Sequence, residues 1–327
     1  MLAIWNRGDA YVKKTIFGNY NRLNHNNSKI QMEKKQYIEI RIKDLSDLIK
    51  LHQAFLSKFV FRGQGDESWE LETSLRRMLK DYHSDNIEIR TPKDYENAML
   101  RDFKWKYLGY QNNPNMMPKE LDSVEWLSIM QHFGAKTRLL DFSNSLFISL
   151  YMALYGSWGT DAAIWAINKD MIRSPFANLA NENEGNIPSE EELDFIIYKK
   201  AESQINKKAL SEADYQLKEI YMVSPHLSNE RISRQQGLFL IPSSISFPFK
   251  DIIAEYCDNE VLTTTAESFL NIGKLPFLDQ IGLIKIIIPN SLRYELSKLL
   301  QQMNINAETM YPGLEGLAKS VNCIRKI

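Results

Sequence analysis

The sequence predicts an α+β fold in which small mixed sheets are flanked by long helices. Two observations favour this class. Short β-prone runs are scattered along the whole chain, and long helical segments separate them without the regular alternation of a βαβ series. The composition agrees, because 44% apolar and 25% charged residues over 327 positions are typical of a folded protein with a substantial core.

Runs of β-branched and aromatic residues, some of them alternating with polar residues, predict the strands. The predicted strands are residues 37–42, 59–63, 162–167, 221–223, 237–241 and 282–289. The run at 59–63 is short, apolar and ended by a glycine, so it places Arg62 at the end of a buried strand. The run at 162–167 is apolar throughout, which is typical of a central strand.

Apolar faces, acidic first turns and glycine stops predict the helices. The predicted helices are residues 44–51, 94–111, 123–133, 144–155, 292–303 and a terminal helix that begins at Pro312. Ser123 is expected to cap the helix at 123–133, and Gly134 is expected to end it. The helix at 144–155 is almost wholly apolar and should be internal.

The distribution of periodic segments also divides the chain into an N-terminal arm and one domain. Residues 1–34 are predicted to be an N-terminal arm or linker, because no helical or strand period persists through their aromatic and Asn-rich stretches. One domain should then span residues 35–327. Within it, residues 174–219 are more polar, and they are predicted to form an exposed helical insertion.

Charge, cysteine content and motif searches exclude several classes of protein. The net charge of −1, from 40 basic and 41 acidic residues, argues against a protein built to bind nucleic acid. Two cysteines give no disulfide framework and no zinc spacing, and no apolar stretch is long enough to span a bilayer. Phosphate-binding, dinucleotide-binding and metalloprotease motifs are absent from the sequence. The sequence therefore predicts a cytoplasmic protein without a metal.

Three separated polar clusters predict one site. The first is Phe61-Arg62-Gly63-Gln64, the second runs from Gln131 to Ser143, and the third runs from Arg231 to Phe239. Arg62 has two interpretations, an internal ion pair with a carboxylate such as Asp141 or a clamp for phosphate. Gly63 favours the second, because a glycine lets a ligand approach the backbone.

The second and third clusters also leave alternatives open. The amides at the start of the helix after Asp141 are placed to receive an anion, or Ser143 simply caps that helix while Asp141 orients Arg138. His132 is either a hydrogen-bonded structural residue or a proton carrier. Gln235 and its neighbour are either solvated or recognise amide and ribose groups.

These clusters resemble the FRG domain family, named after a Phe-Arg-Gly motif that stands here at residues 61–63. The blocks that carry the resemblance are Trp69 with Leu71 through Arg77, Glu125 through Leu127, Gln131 through Gly134, Thr137 through Asp141, Asn229 through Phe239, and Tyr311 through Ala318. Together they cover most of the chain from Tyr37 to Val321. Two pairs depart from the usual pattern, Ala135-Lys136 and Phe142-Ser143.

The order of these blocks also resembles, more distantly, the arginine-serine-glutamate class of ADP-ribosyltransferases. That resemblance implies an NAD-binding core that transfers ADP-ribose to a protein acceptor or hydrolyses NAD, as a bacterial toxin or an anti-phage effector. It implies that Arg62 binds the pyrophosphate, that Thr137 or Ser143 orients the ribose, and that Asp141 or Gln235 holds its hydroxyls.

The candidate site residues follow from these arguments. The expected catalytic residues are Asp141, His132 and Gln235, and the expected NAD-binding residues are Arg62, Gly63, Gln64, Thr137, Arg138, Ser143 and Arg231. The third cluster has glutamines where that enzyme class has its glutamate. A non-catalytic module that senses a nucleotide or a regulatory protein partner is therefore the alternative.

Overall fold

The computed structural model describes residues 36–84, 91–107, 109–110, 117–155, 159–184, 187–226, 230–272 and 281–324. The arm predicted at residues 1–34 lies outside these residues. Eight strands form a single mixed sheet in the order β5-β6-β3-β2-β4-β8-β1-β7. The strands are β1 Gln36–Arg41, β2 Phe59–Gln64, β3 Leu140–Ser143, β4 Ala162–Asn168, β5 Ile220–Val223, β6 Gly237–Pro242, β7 Asp258–Thr265 and β8 Leu283–Ile288.

Helices cover the sheet and complete an α+β fold, so the predicted class is confirmed. They are α1 Leu45–Phe55, α2 Ser74–Ser84, α3 Pro92–Tyr107, α4 Ser123–His132, α5 Leu146–Leu154, α6 Lys169–Glu184, α7 Glu190–Asn206, α8 Glu212–Gln216, α9 Glu230–Arg234, α10 Phe249–Ile253, α11 Ala266–Ile272, α12 Arg293–Gln302, α13 Ala307–Met310 and α14 Leu314–Ile324. No described helix combines the length and the apolar character needed to cross a membrane.

The sheet changes direction in its middle. Strand β4 pairs over six positions with β2 on one side and over six positions with β8 on the other, antiparallel in both cases. Strand β1 is parallel to β7 and β8. On the other side, β2 pairs with β3 at one position, Phe61 opposite Ser143, whereas β3 pairs with β6 over four positions. Strands β2 and β3 therefore diverge after a single pair.

Apolar clusters hold helices against the sheet, and two of them surround the helices described next. One surrounds α1 and α5 and contains Phe55, Phe61 and Leu150, all at most 1% exposed. The other lies between α4, α7 and strands β5 and β6, and it contains Trp126 and Ile197. Burial of these side chains supplies the main favourable contribution to folding.

The segment predicted as an insertion is helical, in three pieces from α6 to α8. It is not wholly exposed, because one face of α7 is buried, including Leu193, Ile197 and Ala201. The same helix caps α4 from outside. The backbone amides of Ser123 and Val124 donate to the Glu202 carboxylate at 2.9 and 2.8 Å. The predicted cap at Ser123 is thus wrong, since that residue is already in the helix, whereas Gly134 ends it with φ +89°.

A fully buried charged cluster ties α3 to the chain just before β3. The Arg138 guanidinium donates two bonds of 2.5 Å to the Glu96 carboxylate, and Lys93 donates a third at 3.0 Å. Burial alone would raise the pKa of Glu96, but Arg138 and Lys93 outweigh it and lower the pKa to about 2. Glu96 therefore remains ionised between its two cations.

We predict that Glu96→Gln lowers the free energy of unfolding by about 3–5 kcal/mol, because it leaves two buried cations without their carboxylate. The loss is measured by urea unfolding at neutral pH. Because the pKa of Glu96 falls from 4.5 to about 2 in the folded protein, its contribution is present above pH 4.5 and is lost as the pH falls through about 2.

Asp102→Asn on the same helix is the matched control. Asp102 pairs with Lys106 at 2.9 Å, but both side chains are about two-thirds exposed, so its loss should cost less than about 1 kcal/mol. Equal costs for the two variants would contradict the assignment of α3 as anchored through Glu96.

Candidate functional site

A cavity of about 270 Å³ lies where β2 and β3 diverge, next to helices α4, α5 and α9. All three polar clusters of the sequence contribute to it. Its lining residues are Phe61, Arg62, Gly63, Ser128, Gln131, His132, Asp141, Phe142, Ser143, Ile148, Ser149, Met152, Arg231, Ile232, Gln235 and Phe239. Seven of the ten candidate residues are among them, and we call this cavity the FRG pocket after residues 61–63.

Arg62 spans the gap between the diverging strands. Its Nη1 donates to the Asp141 carbonyl oxygen at 2.7 Å and lies 3.7 Å from the Asp141 carboxylate. The ion pair expected with Asp141 is therefore present. Burial lowers the pKa of Arg62, and Asp141 opposes that change. An arginine stays charged in either case, so Arg62 provides a fixed positive charge in the wall of the pocket.

Asp141 presents the carboxylate of the pocket, and its orientation is fixed from two sides. Gln131 Nε2 donates to Asp141 Oδ1 at 2.7 Å, while Arg62 approaches Oδ2. The Thr137 hydroxyl in turn donates to Gln131 Oε1, which turns the amide nitrogen toward Asp141. The Asp141 side chain is nevertheless 64% exposed. It is therefore oriented by the protein and still open to a ligand.

Three predicted binding residues do not line the pocket. Gln64 is buried between the Trp165 indole nitrogen, at 2.8 Å, and the Glu70 carbonyl, at 3.2 Å. Arg138 is 1% exposed and belongs to the buried cluster with Glu96 rather than to Asp141. Thr137 is fully buried and acts on the pocket only through Gln131. These three side chains are held by other groups of the protein, and their contact with a ligand stays a prediction.

Ser143 lines the pocket, but the anion site expected beside it does not form. Residues 140–143 are a strand rather than a turn, and α5 begins later, with Ser145 as its cap. The Asn144 amide donates to the Gln236 carbonyl, and the Ser145 amide donates to the Ser143 hydroxyl. These amides are occupied within the protein, so they do not supply the donors that a helix start offers an anion.

Gly63 is required by packing against α5. A Cβ at this position would lie 1.9 Å from the Ser149 carbonyl oxygen and 2.6 Å from the Ala153 nitrogen, both of them backbone atoms. The close approach that the glycine allows is thus between β2 and a helix. This contact sets the distance between Arg62 and the α5 side of the pocket.

A second charged group, formed by Arg231 and Glu315 around the ring of Tyr311, lies at one edge of the pocket. We call this edge the pocket mouth. Arg231 Nη1 is 3.8 Å from the Glu315 carboxylate, and the Arg231 guanidinium stacks 4.8 Å from the centre of the Tyr311 ring. Burial and the Arg231 charge lower the pKa of His132, while Glu315 opposes them. Burial and Arg231 thus favour the neutral imidazole of His132, the form that can accept a proton.

Gln235 fastens the C-terminal segment to the pocket. Its Nε2 donates to the Met310 carbonyl at 3.1 Å, and its own carbonyl accepts from the Ser143 hydroxyl at 2.8 Å. Among the described residues no group donates to the Gln235 side-chain oxygen, and the residue lines the pocket. The same segment carries Tyr311 and Glu315, which the choice of site residues did not include.

Gln131 stood in the second polar cluster but was not among the candidate residues, and Ser128, Ser149 and Met152 were missed as lining residues. Ser128 lies four residues before His132 on α4, and Ser149 and Met152 lie three residues apart on α5. Helical spacing from His132 is the signal that points to Ser128. Ser149 is a polar exception in an apolar helix, a signal that the prediction of an internal helix concealed.

Residues 57–158 match the family model of the FRG domain. This segment of the chain is similar to an FRG domain. The matched segment contains β2, α4, β3 and α5, and it includes Arg62, His132 and Asp141. Neither a curated protein nor a solved structure matches the chain.

The match is shorter than the span from Tyr37 to Val321 over which the sequence resembles the family. The blocks around Arg231 and Tyr311 lie after residue 158, yet the structure brings both to the pocket. The FRG pocket is thus built from the matched segment and from two later segments of the chain.

The charges of Arg231 and Glu315 shift the pKa of His132 in opposite directions. Arg231→Gln should raise the pKa of His132, because it removes a nearby positive charge, and Glu315→Gln should lower it further. The pKa is measured by following the imidazole proton signals by NMR during a pH titration, with His132→Gln to assign the signal. Lys250→Gln removes a positive charge outside the pocket and serves as the control. A His132 pKa that none of the pocket variants moves would contradict the geometry of the mouth.

Proposed function

We propose that the FRG pocket binds NAD and breaks the bond between nicotinamide and ribose, so that ADP-ribose passes to water or to a side chain of a protein acceptor. The observation that carries the proposal is the Asp141 carboxylate, which is oriented by Gln131 and Arg62 and yet largely exposed in the pocket. Breaking a glycosidic bond creates positive charge on the ribose, and a carboxylate fixed beside it stabilises that charge.

The reaction balances with the groups in the pocket. The bond from ribose C1′ to the nicotinamide nitrogen breaks with its electron pair on nitrogen, which gives neutral nicotinamide and an oxocarbenium-like ribose. Asp141 faces the cation, and the oxygen of water or of an acceptor side chain bonds to C1′. The proton lost by that oxygen passes to neutral His132, the proton acceptor of the pocket.

The remaining lining groups suit the ribose end of a dinucleotide. Ser143, Ser149 and the Gln235 side-chain oxygen supply hydrogen-bond partners for hydroxyls. A volume of about 270 Å³ lies near the lower end of ligand pockets, which is about 300 Å³. The pocket therefore takes one end of the dinucleotide, and the rest extends across the mouth toward Arg231.

The pairing of Arg62 with Asp141 favours a second function. Each charge partly neutralises the other, and the third cluster offers a glutamine where a transferase would offer a glutamate. A pocket of this kind also suits a sensor that recognises a nucleotide without consuming it. The two functions differ in one property, the release of nicotinamide.

Consumption of NAD would fit a cytoplasmic bacterial toxin or an anti-phage effector. NAD is shared by the energy metabolism of the whole cell, so its loss arrests growth and with it the replication of a phage. The sensor function would instead place the pocket upstream of a separate effector protein.

The test is nicotinamide release from NAD by the purified protein, followed by chromatography. Asp141→Asn keeps the shape and the bond to Arg62 through the backbone, but removes the charge, so it should lower the rate by about a hundred-fold or more. Its melting temperature should change little, because the side chain is 64% exposed.

Asp102→Asn is the matched control, since Asp102 is equally exposed and also pairs with one cation, and it should leave the rate unchanged. Equal rates for the wild type and Asp141→Asn would contradict the proposal. A melting temperature that NAD raises, without any release of nicotinamide, would support the sensor.

A further inference from the structure

The last helix of the fold turns charged side chains toward the pocket mouth. Tyr311 is 4% exposed just before α14, and Glu315 and Lys319 follow at intervals of four residues. Lys319 Nζ lies 2.9 Å from the Glu315 carboxylate and 3.4 Å from the centre of the Tyr311 ring. The apolar residues of the helix, Leu314 and Leu317, are exposed instead. The inward side of α14 is therefore its charged side.

This arrangement is maintained by the backbone rather than by an apolar interface. Gly313 has φ +64°, which sets the turn into the helix, and a Cβ at Gly316 would lie 2.2 Å from the Tyr311 carbonyl oxygen. Only a glycine allows α14 to pack this closely on α13. Since Gln235 holds the end of α13 through the Met310 carbonyl, the position of Glu315 relative to Arg231 is fixed by the fold.

The Arg231 guanidinium has more N–H donors available for a ligand than the Arg62 guanidinium has. Arg62 is committed to the Asp141 carbonyl at 2.7 Å. Within the described part of the chain, the Arg231 side chain makes no hydrogen bond, and its contact with Glu315 is 3.8 Å long. Its side chain is 30% exposed and lines the pocket. Most of its five N–H donors are therefore free for a ligand.

The mouth also carries a net positive charge. Arg231 and Lys319 both lie against the ring of Tyr311 and share one carboxylate, that of Glu315. Two cations and one anion leave a charge of +1 on this group, beside a histidine that is neutral. An anion with two phosphate groups is the kind of ligand that such a pair of cations attracts.

We propose that Arg231 is the phosphate subsite of the pocket and that Glu315 occupies it until a ligand arrives. The pyrophosphate of the ligand displaces Glu315 from Arg231, and Glu315 keeps its bond to Lys319 and is not left without a partner. Arg62 keeps its structural place beside Asp141 and does not bind the phosphates. This inference rests on the proposed function for the identity of the ligand, but not for the anion subsite itself.

Glu315 thereby determines specificity. Any anion that enters must compete with a carboxylate that is already present, so a ligand with a single weak charge is excluded more strongly than one with a pyrophosphate. Removing the carboxylate should therefore strengthen anion binding. Removing Arg231 should weaken it.

The experiment is calorimetric titration of the full chain with inorganic pyrophosphate at low salt. Arg231→Gln should weaken binding by about ten-fold or more, and Glu315→Gln should strengthen it by about three- to ten-fold. Glu70→Gln is the matched control, because Glu70 also bonds one lysine, Lys250 at 2.8 Å, outside the pocket. It removes the same charge and should change binding by less than about two-fold.

Two results would overturn the inference. One is that Arg231→Gln binds pyrophosphate as tightly as the wild type. The other is that Glu315→Gln binds pyrophosphate no more tightly than Glu70→Gln. If Arg231→Gln does not fold, the comparison of the two glutamate variants decides alone. Pyrophosphate has no glycosidic bond, so its binding at Arg231 stands even if the protein releases no nicotinamide. Conversely, the protein could release nicotinamide while Arg231→Gln has the same KM for NAD as the wild type. That result would overturn this inference and leave the proposed function standing.

Discussion

The pocket depends on the divergence of β2 and β3 after their single pair at Phe61 and Ser143. On one side of the gap, Gly63 lets α5 approach β2 so closely that no side chain fits between them. Across the gap, Arg62 replaces the missing ladder bonds by donating to the Asp141 carbonyl. One residue therefore closes the sheet and supplies a charge to the cavity that the divergence opens. Its buried Nε has no hydrogen-bond partner among the described residues, which is a cost of that position.

Burial separates the three candidate arginines, Arg62, Arg138 and Arg231, into three roles. Arg138 is fully buried, so it needs a carboxylate at close range, and Glu96 with Lys93 forms a cluster that fixes the approach to β3. Arg62 is 20% exposed and is shared between the sheet and the pocket. Arg231 is 30% exposed, with a long contact to Glu315, and it is the arginine of the three with the most capacity for a ligand. The cost of an unpaired charge falls as exposure rises.

Much of this architecture is visible in the sequence, because the strong strands and helices are long apolar or periodic runs. The strand at 162–167 and the helix at 123–133 are observed within a residue or so of their predicted ends. Strand β3 was missed because the alternation in Leu-Asp-Phe-Ser extends over only four residues, and pairing with β6 over all four positions stabilises it as a strand. The pairing of strands that are distant in sequence cannot be predicted from a local sequence pattern.

The hydrogen-bond and ion-pair partners of the site residues were harder to predict, because they lie far away in the sequence. Glu96 lies 42 positions from Arg138, and Asp141 lies 79 from Arg62. The second pair was anticipated as one alternative, since both residues stood in polar clusters, whereas nothing in the sequence around Glu96 marks it as the partner of a distant arginine. The role of Thr137 is likewise visible only in space, where its hydroxyl orients Gln131 and through it Asp141.

The central claim is that the three clusters form one binding site with the ribose end at Asp141 and the phosphates at Arg231. The most direct measurement is a crystal structure of the full chain with ADP-ribose, the product of the proposed reaction. The account predicts a ribose whose hydroxyls contact Asp141, a pyrophosphate on Arg231, and a Glu315 carboxylate that has moved away from that arginine. A bound ADP-ribose with its pyrophosphate on Arg62, or outside the pocket altogether, would contradict it.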